Sequence, residues 1–146
     1  MAVKPIPENY PRVSPYLVIK NVEETMDFIG YVFDGKVREK MKMPDGSVNH
    51  GEMNIGDSVI MMGKASDEHP PLNAMLYIYV EDTDKAFNRA IEKGATSLME
   101  PADQFYGDRN AGVKDKNGIS WWIASHFEDV SEEEMQKRNE ARTNKK

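Results

Sequence analysis

The chain contains no cysteine. That absence removes disulfides, thiolate zinc sites and cysteine nucleophiles together, and it fits a reducing, cytoplasmic setting. No run of about 18 apolar residues occurs, so no membrane span is expected. The opening Met1-Ala2-Val3-Lys4-Pro5 lacks the apolar stretch of a secretory leader, and export by one is not expected. Basic residues are in deficit, 19 Lys and Arg against 25 Asp and Glu for a formal net charge of -6. Nucleic acid, whose phosphates demand clustered cations, is therefore disfavoured as a partner. There is no G-x-S-x-G elbow, no H-E-x-x-H, no P-loop and no G-x-G-x-x-G. Hydrolase, metalloprotease, NTPase and dinucleotide-binding readings thus have no support. Histidine is scarce as well, limited to His50, His69 and His126.

What is present suffices for a core. Of 146 residues, 39% are hydrophobic and 30% charged, which fits one compact domain or two small fused halves. After a proline-rich lead-in, Arg12–Ile19 alternates like a strand. Asn21 caps a helix with Glu24 three residues on, and Val22, Met26, Ile29 and Phe33 draw one apolar stripe that stops at Asp34-Gly35. Three strands are expected next, over Lys36–Met43, Ser47–Ile55 and Ser58–Met62, separated by Pro44-Asp45-Gly46 and Gly56-Asp57 turns. The stretch from Gly63 to Leu72 is a linker. The order then repeats: a strand over Asn73–Val80, a helix capped by Asp82 and stopped at Gly94, and strands over Ala95–Glu100, Tyr106–Asp115 and Ile119–Ser125. An offset of about sixty residues is on the scale of an internal duplication. Ser131 opens a last helix whose charges follow the macrodipole but which holds only Met135 and Ala141 as apolar residues.

Two β-α-β-β-β units in tandem resemble the glyoxalase/bleomycin-resistance/dioxygenase (vicinal oxygen chelate) superfamily. Val13-Ser14-Pro15-Tyr16-Leu17, Met26-Asp27-Phe28-Ile29 and Val32-Phe33-Asp34-Gly35 resemble the opening strand and helix of its PhnB-like branch. Gly51 through Ser58 resembles its hairpin. Tyr106-Gly107-Asp108-Arg109, with Gly112-Val113, Asp115, Gly118 and Trp121-Trp122-Ile123-Ala124, resembles its closing strands. The resemblance implies an α+β fold of two tandem βαβββ modules, forming a curved mixed sheet around a cleft, plus a C-terminal helix. The domain spans residues 12–130, with halves at about 12–63 and 73–125, followed by a helix and tail over 131–146. It also implies a homodimer.

Metal-dependent members of that family bind an ion through His, Glu or Gln on the first and last strands of each half. Counting back from Val22 puts the first such position on Ser14, its counterpart on Met75, and the last-strand position on Trp122. The remaining one falls on Met61 or Met62. None is a hard oxygen or imidazole ligand, so the usual metal is not expected. His50 and Glu52, two apart on one strand, share a face and offer half of a relocated site for a divalent metal ion.

The same register puts Tyr16, Tyr77, Tyr79 and Ser120 on the cleft side with Met75 and Trp122. Leu17, Ile19, Leu76, Ile78, Val80, Trp121 and Ile123 turn toward the helices. Aromatic rings with a few polar tips suit a small organic ligand. Asp108 and Arg109 are adjacent and face opposite sides, so one alone can enter the cleft. Arg109 offers a fork to a carboxylate or phosphonate, and Tyr106 a phenol. The expected ligand-binding set is Tyr16, Met75, Tyr77, Tyr79, Tyr106, Arg109 and Trp122. Three functions compete: a metal-independent protein that binds a small aromatic or cationic molecule, a divalent-metal lyase, isomerase or dioxygenase built around His50 and Glu52, and a non-catalytic dimeric interaction module.

Overall fold

A computed structural model of the protein describes residues 2–144, so the last two lysines of the expected tail lie outside the described residues. Eight strands and three helices follow in chain order. The first half comprises β1 (Tyr16–Ile19), α1 (Val22–Phe33), β2 (Lys36–Lys42), β3 (Val48–Ile55) and β4 (Ser58–Lys64). The second comprises β5 (Met75–Tyr79), α2 (Thr83–Glu92), β6 (Thr96–Asp103), β7 (Asp108–Lys114) and β8 (Ser120–His126), and α3 (Glu132–Thr143) closes the chain. The sheets repeat one topology, β1-β4-β3-β2 and β5-β8-β7-β6, each with one parallel and two antiparallel pairings.

Local chemistry sets the helix ends. The Asn21 side chain accepts from the Glu24 amide at 3.1 Å, and Asp34 closes α1 in the left-handed region at φ 55°. Short polar side chains tolerate that conformation better than branched ones. Asp82 and Ser131 cap α2 and α3 by the same i to i+3 bond. The last helix buries none of its residues. It is held by Arg138, which forks onto Glu128 at 2.8 and 3.0 Å and donates to the Phe105 carbonyl at 2.9 Å.

Several expected boundaries shift: β4 runs through Gly63 to Lys64, two residues into the expected linker, and β5 covers only Met75–Tyr79 of the expected Asn73–Val80. β1 begins at Tyr16 rather than Arg12, because Pro15 has no amide to give a ladder. β6 runs past Pro101 to Asp103, which the sheet edge and a register break between Met99 and Ala102 allow. β7 starts at Asp108, so Phe105, Tyr106 and Gly107 form a turn.

The aliphatic sides of both sheets meet in one core. Leu17, Ile19, Met53, Met62, Val113, Trp121 and Ile123 are at most 2% exposed. Trp121 of the second half lies 5.9 Å from Phe28 and 5.2 Å from Phe33 of α1, ring centre to ring centre. Asn117, in the β7–β8 turn, clamps the start of α1. Its amide donates to the Asn21 carbonyl at 2.7 Å and to Thr25 Oγ1 at 2.8 Å, and its Oδ1 accepts from the Asn21 amide at 3.1 Å. Beneath it, Asp115 accepts from the Ile119 amide and from Trp121 Nε1, so the indole enters the core with its polar atom satisfied. No described helix is long and apolar enough to cross a membrane.

A core shared in this way should unfold as one unit. Trp121→Ala is expected to lower unfolding free energy by about 3–5 kcal/mol, and Asn117→Ala by about 1–3 kcal/mol. In urea, both variants and the parent should show one coincident transition by fluorescence and circular dichroism. Two separable transitions in the parent would show that the halves fold independently.

Candidate functional site

Strand alternation leaves the second face of each sheet to other chemistry. In the second half, β5 presents Met75, Tyr77 and Tyr79, β8 presents Ser120 and Trp122, and β7 presents Asp108, Asn110 and Gly112. The ladders place Tyr77 opposite Trp122, Trp122 opposite Gly112, and Asp108 opposite His126. Gly112 leaves room for the indole: a Cβ there would come within 2.3 Å of the Trp122 ring. Met75 and Tyr79 are 62% exposed, so this face is open.

Asp108 organises it. Only 4% exposed, its carboxylate accepts from Tyr77 Oη at 2.6 Å, from Tyr79 Oη at 2.9 Å and from His126 Nδ1 at 2.8 Å. The fully buried Asn110 donates to Tyr106 Oη at 2.6 Å and to Tyr77 Oη at 3.3 Å, while its Oδ1 has no donor among the described residues. His126 reaches Asp129 through Nε2 at 2.8 Å. Both phenols thus turn their hydroxyls down onto one anion and leave ring surface outermost.

Burial pushes the Asp108 carboxyl up, but donation from Tyr77, His126 and Tyr79 outweighs it, and the group sits below the usual aspartate range. Tyr77 is pushed up by burial and by its bond to Asp108, and Tyr79 by the Asp108 bond first. His126 is raised by Asp108 and then by Asp129. Asp108 is therefore ionised at neutral pH, with Tyr77 and Tyr79 protonated.

The first half carries a related cluster. Tyr16 Oη lies 3.2 Å from His50 Nδ1, and His50 Nε2 lies 2.9 Å from Glu52 Oε2. Glu52, 5% exposed, also accepts from Tyr10 at 2.7 Å, with the Arg38 guanidinium 3.7 Å away and stacked on the Tyr10 ring. Glu39 stands opposite Glu52 in the β2–β3 ladder. Burial raises Glu52, yet the bonds from His50 and Tyr10 leave it below the usual glutamate range.

Of the expected ligand-binding residues, Tyr77, Tyr79 and Tyr106 join one hydrogen-bonded network, with Met75 and Trp122 on neighbouring strands of the same face. Tyr16 belongs to the other cluster. Arg109 does not enter the face. It points to the helix side, where Asp84 takes its fork at 2.7 and 2.9 Å and Asp103 adds a bond at 3.1 Å. Tyr106 reaches the network from a turn rather than from a strand. Asp108, Asn110 and His126 are the residues that sequence reasoning left out of the set, although Asp108 followed from the parity that turned Arg109 away. A cavity of ≈ 970 Å³ runs along the free edge of β5, bounded by Phe33, Gly56 and Lys85. Its lining includes Tyr77 and Tyr79 but not Asp108 or Trp122.

The family model described as the Glyoxalase/Bleomycin resistance protein/Dioxygenase superfamily matches residues 12–123. The chain belongs to this superfamily. An uncharacterized Mycobacterium bovis protein, Mb0911c, is 27% identical over 140 residues, covering 86% of this chain and 90% of that one. Among solved structures, TioX from Micromonospora sp. ML1 aligns with a TM-score of 0.67 at 20% identity, covering 80% of this chain and 99% of its own. The PhnB protein from Bacillus cereus aligns at 0.64 and 17% identity, covering 79% and 99%. At such identities the structures speak for the fold.

The superfamily's usual metal does not fit the residues found here. β1 pairs Tyr16 with Met61, and Met62 is fully buried on the helix side, so the first half's last-strand position is Met61. The four positions therefore offer a serine hydroxyl, two thioethers and an indole, none of them an imidazole or a carboxylate.

A histidine raised by folding adds stability that is complete below its unfolded pKa and lost as pH rises through the folded value. The His126 imidazole should titrate above the ordinary 6.5 when followed by proton NMR, and Asp108→Asn should bring the midpoint back down. A midpoint at or below the ordinary value in the parent would contradict the assigned contacts.

Proposed function

We propose that this chain binds a small aromatic molecule, cationic in preference to anionic, on the open face of its second half, without the ion held by metal-dependent members of the superfamily. The observation that carries this reading is the buried Asp108 carboxylate beneath Tyr77 and Tyr79. By accepting a hydrogen bond from each phenol, it fixes the two rings, whose centres lie 5.4 Å apart with their planes at 66°, and makes them electron-rich. Fixed rings lose little entropy when a ligand stacks on them, and an anion behind them favours a cation in front. Trp122, whose ring packs against Gly112, adds a third aromatic group to this face. The net charge of -6 acts in the same direction at longer range.

The open aromatic and thioether surface also favours a second reading, in which another copy of the chain covers it and the protein is a dimeric interaction module. The two differ in what competes for Tyr79.

Thermal unfolding with phenyltrimethylammonium, N-methylquinolinium and naphthalenesulfonate as probes tests the binding reading. A ligand at 100 times its dissociation constant adds about 2.7 kcal/mol. The cations should raise the melting temperature and the sulfonate should not, and Tyr79→Ala and Trp122→Ala should each abolish the shift. No shift with either cation, or a shift that survives both substitutions, would overturn it. Light scattering on the same samples reports the second reading: a mass near twice 16.6 kDa that halves in Tyr79→Ala would favour the covered face.

A further inference from the structure

We propose that Glu39, His50 and Glu52 form a binding site for a first-row divalent cation on the first half of the chain, at positions other than those the superfamily uses. One ligand atom from each residue lies within 4.8 Å of the other two; two atoms bonded to one ion at about 2.0–2.2 Å stand at most about 4.4 Å apart, so the exposed Glu39 side chain turns inward to complete the set. The site is independent of the binding face proposed above, which is built from the other sheet.

A backbone irregularity creates it. In the β2–β3 ladder Val37 stands opposite Met53, but Glu39, not Arg38, stands opposite Glu52. Arg38 is the extra residue of a bulge, a feature that re-aims the side chains after it. Without it, Glu39 would fall opposite Gly51 and face the helices. With it, Glu39 joins Glu52 and His50 on the open face, and Lys40 takes the helix side, where it meets Glu23. The bulge sets two carboxylates directly across an antiparallel pair, an arrangement that is unfavourable unless a cation intervenes.

The surrounding groups suit an ion. His50 Nε2 donates to Glu52 at 2.9 Å, so an ion that takes Nε2 displaces this hydrogen bond and leaves the ring proton on Nδ1, where Tyr16 Oη, 3.2 Å away, is placed to accept from it. An outer acceptor of this kind fixes tautomer and ring orientation. Glu52 is buried and further oriented by Tyr10, while Glu39 is exposed and able to close onto an arriving ion. Two carboxylates and one neutral imidazole carry the charge that a dication neutralises. The mixed nitrogen and oxygen donors suit Zn²⁺, Co²⁺ or Mn²⁺, and three protein ligands leave coordination positions open. Arg38, 3.7 Å from Glu52, is the resident cation that the ion must outcompete.

Titration calorimetry of the untagged full chain with zinc chloride alone tests the site. One equivalent should bind. Glu39→Gln and His50→Ala should each weaken it by about ten-fold or more, Arg38→Gln should tighten it, and His126→Ala and Tyr79→Ala should leave it unchanged. Glu39 is exposed on an edge strand, so Glu39→Gln should melt with the parent and separate loss of a ligand from loss of fold. Absence of saturable binding at one equivalent, or binding insensitive to Glu39→Gln, would overturn the site. So would loss of binding in His126→Ala.

Discussion

The inner strands of both sheets have two faces, and the helices claim one of them. That constraint governs the molecule. Leu17, Ile19, Met53 and Met62 from one sheet and Val113, Trp121 and Ile123 from the other are consumed by packing around α1 and α2. Burial of such side chains is worth about 1.5–3 kcal/mol each, so the register cannot slip by one residue without exposing a whole layer. The side chains left on the opposite faces are consequently fixed in place without being needed for the core. They are aromatic, polar and ionised, and they gather into two clusters, one per half.

The two clusters share a plan and differ in chemistry. Each sets a buried carboxylate in contact with a histidine and with tyrosine hydroxyls: Glu52 with His50 and Tyr10, Asp108 with His126, Tyr77 and Tyr79. A buried anion is tolerable only when donors surround it, and here the donors are the aromatic groups that shape the surface. In the second half this arrangement presents rings to the outside. In the first, a strand bulge brings a second carboxylate, and the cluster becomes a set of metal-type ligands. The repeated topology thus carries two clusters of different chemistry, and a shared fold does not require one role for both.

Features governed by local rules were legible in the sequence. Asn21, Asp82 and Ser131 cap the helices that their spacing foretold, and the apolar stripe through Val22, Met26, Ile29 and Phe33 is buried as period and composition require. Alternation separated the aliphatic from the aromatic side of β5 and β8. What stayed hidden depends on partners distant in the chain. Arg109 looked available because nothing near it in sequence announces Asp84, twenty-five residues earlier, as the group that takes its fork. The role of His126 requires Asp108 on the neighbouring strand, and the role of Glu39 requires a bulge that no residue type marks. Tyr106 was assigned to a strand because Gly107, at φ 95°, can be read either as a turn or as a strand interruption.

Membership of the superfamily explains the architecture, and the open faces carry what is particular to this chain. The account rests most heavily on Asp108 being an ionised, donor-saturated anion that holds two phenols. Carbon-13 NMR of the labelled aspartate carboxyls, followed through acid titration, measures this directly. Asp108 should titrate below the ordinary aspartate value, and Tyr77→Phe together with Tyr79→Phe should move its midpoint upward. A carboxyl that titrates at or above the ordinary value in the parent would mean that the network is not formed as described.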